Sequence, residues 1–388
     1  MNQVDWNALL KDCVDFTRRL IQTPSMPTQE TDIAELVFEE MIRLQFDEVW
    51  IDDIGNVSGR IHGANRNLGA LVFNSHLDHV DPGDLSLWPY PPYSAEVNEG
   101  RIFGRGACDI KGPLAVQVYS LAAVIRSGLR PQRDSVVTAV VQEETGGAGA
   151  LFWVKNLDYP VELIVLGEPS SNNISLGHRG IWQTWVTFSG RSVHASVPES
   201  GVNPNFAMAQ FLDQLEIRQL ELRSHPLLGD TSVAPTIIEV DTQSPNVTPA
   251  WTRVLLDFRT AAESVSTLRA FIDEISGDLA PQLRSPWLGI SEPGVEAGEI
   301  IFGFYTPPDS EIVSRVHRFI ERGMGWQPEL MSYRFATDGR HFATHRDDIA
   351  ILGFSPGEEH LAHTVNESIS IDMMLDSLKG HVQLILDF

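Results

Sequence analysis

Cysteine is nearly absent, with only Cys13 and Cys108 among 388 residues. Two thiols in so long a chain exclude a disulfide framework and are expected to stay reduced. Basic residues are scarce: 28 Lys and Arg stand against 52 Asp and Glu, a formal net charge of -24. Nucleic-acid affinity rests on Lys and Arg at phosphates, so no nucleic-acid partner is expected. The charge reads as solubility. No run supplies the ~18 uncharged apolar residues of a membrane span, and no basic amphipathic helix suggests a membrane surface. The N-terminus has Asp5 early and lacks a basic region followed by an apolar one, so no secretory signal is expected and the chain reads as cytoplasmic. Repeats, low-complexity tracts and flexible linkers are also missing.

What is present is an ordinary globular composition, 43% apolar and 21% charged, long enough for more than one domain. Residues 6–21 read as an amphipathic helix with Leu9, Leu10, Cys13, Phe16 and Leu20 on one side. Short apolar runs at 70–73, 136–141 and 161–166 have the character of strands buried on both faces, and 113–125 between two of them looks helical. That alternation predicts an α/β fold with a parallel-rich sheet flanked by helices. After Glu168 the pattern changes. Segments 181–188, 233–240 and 251–259 alternate as half-buried strands do, and 205–222 and 268–279 look helical. This predicts an inserted α+β domain with an antiparallel sheet. From Asp309, read as an N-cap, the first style resumes, with a strand at 349–354 and a closing helix at 371–386. The expected domains are 1–178 and 293–388 as two parts of one metal-binding domain, with 179–292 inserted between them.

Carboxylates and histidines recur just after these apolar runs. His76 and Asp78 follow one, Glu143 and Glu144 another, and Glu168 a third. Asp109 lies in the Gly-rich stretch Gly104-Arg105-Gly106-Ala107-Cys108-Asp109, and His363 lies near the C-terminus. Open α/β sheets place ligands beyond the carboxyl ends of their strands. Imidazoles and carboxylates converging there suit Zn²⁺ or a similar metal, with two ions expected. Singly, each signal has a bland reading. His76-x-Asp78 could be a solvated loop, Asp109 a helix cap and Glu143-Glu144 an acidic strand end. Glu168 could pair with an Arg, and His363 could sit on the surface beside His360. On an extended segment adjacent side chains point to opposite faces, so Glu143 and Glu144 could do different jobs. His79, His225, His341 and His345 have no comparable setting. The five signals together carry the argument.

These stretches resemble the di-zinc aminoacylase and exopeptidase family, which includes acetylornithine deacetylase, succinyl-diaminopimelate desuccinylase, glutamate carboxypeptidases and several dipeptidases. The resemblance spans nearly the whole chain. It rests on Ser75-His76-Leu77-Asp78, the Gly104–Gly112 stretch, Glu143-Glu144-Thr145-Gly146, Gly167-Glu168-Pro169, the Gly190–Ser196 stretch and His363-Thr364-Val365-Asn366-Glu367. It implies a zinc-exopeptidase-like fold whose inserted domain acts as a lid and dimerisation domain. It implies that Asp109 bridges two divalent ions, His76 and Glu168 complete one, and Glu144 and His363 the other. Zn²⁺ is the default, with Mn²⁺ or Co²⁺ able to serve. Asp78 would orient His76, and Glu143 would be the general base on a metal-bridging water. His194 would reach across a dimer interface to the substrate carbonyl, and Asn246 and Arg259 would line the substrate-carboxylate site. Thr337 and Gly339 match a turn bordering the substrate pocket in relatives, but Phe335-Ala336 replaces two glycines there, implying a narrower or more apolar pocket.

The leading expectation is therefore a metal-dependent amidohydrolase, a homodimer, that cleaves an N-acyl amino acid. The alternative is a metallo-dipeptidase or carboxypeptidase with the same chemistry. Both substrate types present an amide and a carboxylate, so Arg259 does not separate them. A non-catalytic binding protein on this fold is disfavoured because no ligand and no base is missing.

Overall fold

The computed structural model describes residues 4–261, 263–279, 287–291 and 302–388. The chain forms two compact units. One comprises Met1–Gly177, Tyr305–Tyr333 and Thr337–Phe388, and the other His178–Phe304 with Arg334–Ala336. The boundary expected at 292 lies outside the described residues.

The first unit is built on a mixed sheet of nine strands. Their order is Glu48–Ile51, Val57–Ile61, Ser135–Val140, Ala70–His76, Val161–Leu166, Ala350–Phe354, Ile174–His178 and Phe304–Tyr305, with Leu330–Tyr333 also paired to Ile174–His178. The central strands run parallel: Ala70–His76 lies between Ser135–Val140 and Val161–Leu166, and the latter pairs with Ala350–Phe354. All residues of Ala70–His76 and Ser135–Val140 are buried. That is why these segments read as continuous apolar runs rather than alternating ones. Antiparallel strands close the edges. The first apolar run extends further than its composition suggests, so His76 is the last residue of its strand rather than part of the following loop.

Helix Gly112–Ser127 carries Pro113 in its first turn, where no backbone donor is lost, and ends at Gly128 with φ +68°. The stretch Ala107–Ser127 is long and apolar enough to cross a membrane, which the reading of hydrophobic runs did not anticipate, but 94% of its apolar window is buried inside the protein. It contains Asp109 and Lys111, and its Gly112–Ser127 part is a core helix. Helix Glu311–Met324 is capped by Ser310, whose Oγ accepts from the Val313 N–H at 3.4 Å. The cap is therefore one residue later than the Asp309 expected from sequence. Ser310 has the extended backbone a cap needs, and Glu311 then complements the helix dipole.

In the second unit an antiparallel sheet runs Ser232–Val240, Trp251–Thr260, Gly180–Ser189, Trp287–Ser291. Gly180–Ser189 alternates strictly between buried and half-buried positions. Its inward residues Trp182, Val186 and Phe188 pack on Phe211 and Leu215 of helix Pro204–Arg218 and on Ile272 of helix Val265–Gly277. Period-2 strands against period-3.6 helices give one apolar layer between sheet and helices.

Candidate metal centre

His76 ends a central strand, and its ring is buried. Its Nδ1 lies 3.0 Å from the Asp78 backbone oxygen and 3.4 Å from Asp78 Oδ1. Its Nε2 lies 3.1 Å from Asp109 Oδ1. The other oxygen of the same carboxylate, Asp109 Oδ2, lies 3.2 Å from His363 Nε2, and His363 Nε2 is also 3.0 Å from Glu144 Oε1. One carboxylate thus stands between two imidazoles. Ligand atoms of His76, Asp109 and Glu144 all fall within 4.8 Å of one another.

Two buried acids hold these groups in place. Asp78, fully buried, accepts the backbone N–H of Glu143 on Oδ1 and that of Glu144 on Oδ2, both at 3.1 Å. It therefore ties the His76 ring to the turn bearing both glutamates. That turn is a 3-10 turn, Glu143–Thr145, entered through Gln142 at φ 59° and left through Gly146 at φ 124°. The extended geometry expected for Glu143-Glu144 is corrected. With Asp78 collecting both N–H groups, the two side chains cannot alternate as on a strand. Glu367 does the same for Asp109. Its Oε1 accepts the N–H of Cys108 at 2.9 Å and of Asp109 at 3.0 Å, and its Oε2 accepts the N–H of Gly106 at 3.0 Å and Arg105 Nη1 at 2.7 Å. The segment Ala107–Lys111 departs from helical geometry at Asp109 and Ile110, and the peptide between them is cis. His363 adopts φ 61° and Asn366 φ 69°. Left-handed backbone at non-glycine residues costs of order 1–3 kcal/mol and gathers at functional sites.

The electrostatics describe a strongly acidic pocket. Burial opposes a charge on His76, but its hydrogen bonds to Asp109 and Asp78 outweigh that and raise its pKa well above the ordinary value. His363 rises to about 10 through its bonds to Asp109 and Glu144. Burial also works against Asp109, yet the two histidines hold it below its usual value. The acids with no imidazole partner go the other way. Burial and then Asp338 push Glu143 up, and burial and then Asp109 and Glu143 push Glu168 up. Burial lifts Asp338 to about 7, with Asp78 and Glu144 adding to it. Both carboxylate oxygens of Asp338 lack a hydrogen-bond partner among the described residues. Two imidazoles and the crowded carboxylates around them, His76, Asp109 and Glu144 foremost, fit a divalent cation, which would offset the excess negative charge.

The remaining expected residues divide between the units. Glu168 is buried at its strand end, where its backbone oxygen accepts Ser355 Oγ at 2.7 Å. Thr337 is buried and its Oγ1 accepts the Gly339 N–H at 3.2 Å, so both shape the turn that presents Asp338. In the second unit, His194 is exposed and pairs through Nδ1 with Ser196 Oγ at 2.7 Å, while Ala195 donates to the Asn246 oxygen at 2.8 Å, so His194 and Asn246 lie on adjoining segments. Arg259 Nε donates to Asp257 Oδ1 at 2.7 Å on its own strand. His360 is exposed. Sequence reading passed over three contributors. Asp338 sat unremarked between Thr337 and Gly339, Glu367 was quoted only as part of a motif, and His341 was set aside. His341 is buried, and its Nε2 lies 2.9 Å from the Gly146 oxygen, beside the glutamate turn.

Residues 72–387 match the model of peptidase family M20/M25/M40. The chain belongs to this family. It is a hydrolase acting on amide bonds, and the family's hydrolases depend on metal. Among curated relatives, it is 28% identical to the uncharacterized protein YgeY of Escherichia coli over 92% of this chain and 89% of that protein. It is 25% identical to the succinyl-diaminopimelate desuccinylase of Blochmanniella floridana over 94% of this chain and 95% of that protein. Among solved structures, the aminopeptidase PepT of Bacillus cereus superposes with a TM-score of 0.76 at 19% identity, over 99% of each chain, and shows the shared fold.

Proposed function

We propose that this chain removes the acyl group from an N-acyl amino acid, using Glu143 as general base. The observation that carries the reading is the Asp109 carboxylate shared between His76 and His363, with Glu144 on the second imidazole and the half-buried Glu143 next to it on the same turn. His76, Asp109 and Glu168 would hold one divalent ion, and Asp109, Glu144 and His363 the other. Bound there, Zn²⁺, Mn²⁺ or Co²⁺ would supply Lewis acidity and make water a nucleophile at neutral pH. Asp78 keeps His76 in the tautomer that leaves Nε2 free to coordinate. Glu143, whose pKa is raised by burial and by Asp338, would take the proton of the attacking water and return it to the leaving amine. Relatives named desuccinylases support an N-acyl substrate. In the second unit, Arg259 suits a substrate carboxylate because a guanidinium binds it bidentately, and His194 and Asn246 belong to the same substrate-binding set. A homodimer fits the exposed Ile237 and Ile238 on the sheet's edge strand and the exposed Phe206 and Ile217 on helix Pro204–Arg218.

The test is amine release from N-acetyl, N-succinyl and N-formyl amino acids beside simple dipeptides, with each metal supplied. Glu143→Gln is expected to lower kcat by about 10²–10⁴-fold while metal content stays constant. A fully active, metallated Glu143→Gln protein overturns the mechanism. Turnover of dipeptides alone replaces the acyl-amino-acid reading with a dipeptidase.

A further inference from the structure

Four successive backbone N–H groups lead out of the central strand Ser135–Val140 into the glutamate turn, and each is accepted by a side-chain oxygen. Val141 donates to Asn56 Oδ1 at 3.0 Å and Gln142 to Glu30 Oε1 at 3.0 Å, while Glu143 and Glu144 donate to the two oxygens of Asp78 at 3.1 Å. Side chains from three other segments thus take the donors that strand pairing leaves over. Glu30 is the unexpected member. It stands at the N-cap of helix Thr31–Arg43, where a side-chain oxygen ordinarily accepts an N–H of the first turn, yet it makes no capping bond. Its carboxylate turns away from its own helix and reaches Gln142, 112 positions on. The residue is only 4% exposed.

The connection that delivers Glu30 runs over residues 23–30, between helices Trp6–Gln22 and Thr31–Arg43. It is bonded to three segments that carry the site. Lys111, two residues after Asp109, donates from Nζ to the Thr23 oxygen at 2.8 Å. The Ser25 N–H donates to His79 Nε2 and the His79 N–H to the Ser25 oxygen, both at 3.0 Å, and Ser25 Oγ donates to the Leu77 oxygen at 2.7 Å. Thr28 then bends the chain at φ 70°, and Glu30 takes the residue before Glu143. Ser25, His79 and Lys111 are fully buried. One short connection therefore makes its bonds beside His76, Asp109 and Glu143.

We propose that Glu30 is a positioning residue for Glu143: through the Gln142 N–H it holds the turn that aims the base, and residues 23–30 brace Glu30 against the site. This rests on the reading of Glu143 as general base. Gln142 sits at φ 59°, a left-handed conformation that a non-glycine residue keeps only where its surroundings enforce it. The Glu30 oxygen takes the one N–H that Gln142 offers. A displacement of about 1 Å at a reacting group costs about 10²-fold in rate, so a loosened turn shows in kcat. The bond needs an accepting oxygen rather than a charge. A cleft of about 250 Å³ borders the contact, lined by Thr28, Glu30, Thr31, Gly55, Val141 and Gln142 among others. Water can enter there when the side chain is shortened, so the N–H is not left bare and the fold survives.

Glu30→Ala and Glu30→Gln, both metal-loaded, test this by hydrogen exchange read by mass spectrometry and by kinetics. The substrate is whichever of the N-acetyl, N-succinyl and N-formyl amino acids and simple dipeptides the wild type cleaves fastest. In Glu30→Ala, exchange across residues 141–146 is expected to quicken about tenfold or more, the worth of a hydrogen bond to a charged group. Helix Glu311–Met324 should exchange at the wild-type rate. At saturating metal, kcat is expected to fall about 10–100-fold with KM unchanged. Glu30→Gln keeps an accepting oxygen and should recover most of both losses. A Glu30 that serves only general stability would lower Tm, quicken exchange throughout and leave kcat per folded molecule unchanged, and that result overturns the proposal. Unaltered exchange across 141–146 overturns it too, as does a Glu30→Gln protein as slow as Glu30→Ala. Failure of the hydrolase reading would show instead as a wild type without turnover, and the exchange comparison would still decide whether Glu30 holds the turn.

Discussion

Replacing Glu367 by glutamine isolates how much of the metal centre depends on the acid behind it. The wild-type carboxylate is fully buried and accepts four hydrogen bonds, three from the Gly106, Cys108 and Asp109 backbone and one from Arg105, itself only 3% exposed. An amide keeps one oxygen and turns an NH₂ toward two of those donors, so at least two charge-assisted bonds are lost. Arg105 also loses its counter-charge and keeps long contacts to backbone oxygens, such as Thr364 at 3.3 Å, and its place over the Trp88 ring. Breaking a buried ion pair from one side costs about 3–5 kcal/mol, and hydrogen bonds to charged groups are worth about 1.5–3 kcal/mol each. An expected destabilisation of about 4 kcal/mol follows from either figure. Because the freed N–H groups are those that aim Asp109, metal affinity should fall as well, by about 10–100-fold, the usual cost of removing a group that orients a ligand. Denaturant unfolding of the metal-free protein gives the first quantity and competition with a chromophoric chelator gives the second. A variant within about 1 kcal/mol of wild type and with unchanged metal affinity would refute the assigned role of Glu367.

The metal-free protein should also report its crowded acids through pH. Asp338 rises from 3.8 to about 7 on folding, so the protonated form stabilises the fold below pH 4 and that stability is lost as pH rises through 7. Metal-free wild type is expected to lose up to roughly 4 kcal/mol over that range, and Asp338→Asn should flatten the profile in a Tm series. An equally steep profile in the variant would remove Asp338 as the cause. His363, raised to about 10 by Asp109 and Glu144, must give up its proton to bind metal. At pH 8 the calorimetric heat of Zn²⁺ binding should therefore vary with the ionisation enthalpy of the buffer, and affinity should fall on acidification. His363→Ala should displace at least one proton fewer, and buffer-independent heats in the wild type would contradict the ligand assignment.

How legible the molecule was from its sequence differs from element to element. Segments 136–141 and 161–166 could be read as central strands because strands buried on both faces become continuous apolar runs. The amphipathic helix at 6–21 and the alternating strands at 181–188 and 251–259 were equally visible, since their periodicity is a local property. The short strands Glu96–Asn98, Arg101–Phe103 and Ser368–Ser370 were not, because three residues carry no period and the last joins its partner from more than 260 positions away. The identities of His76, Asp109, Glu143, Glu144, Glu168 and His363 were likewise in the sequence, as residue types at the ends of apolar runs and in recognisable motifs. Only tertiary structure could decide that Asp109 turns one oxygen to His76 and the other to His363. It alone showed that Asp78 gathers the Glu143 and Glu144 amides into a 3-10 turn, and that Glu367 and Asp338 stand behind the site. The physical reason is that hydrophobic pattern and backbone propensity act over a few residues, whereas a ligand set is assembled by hydrogen bonds between residues up to 262 positions apart, such as Arg105 with Glu367. Chain order alone says nothing about those bonds.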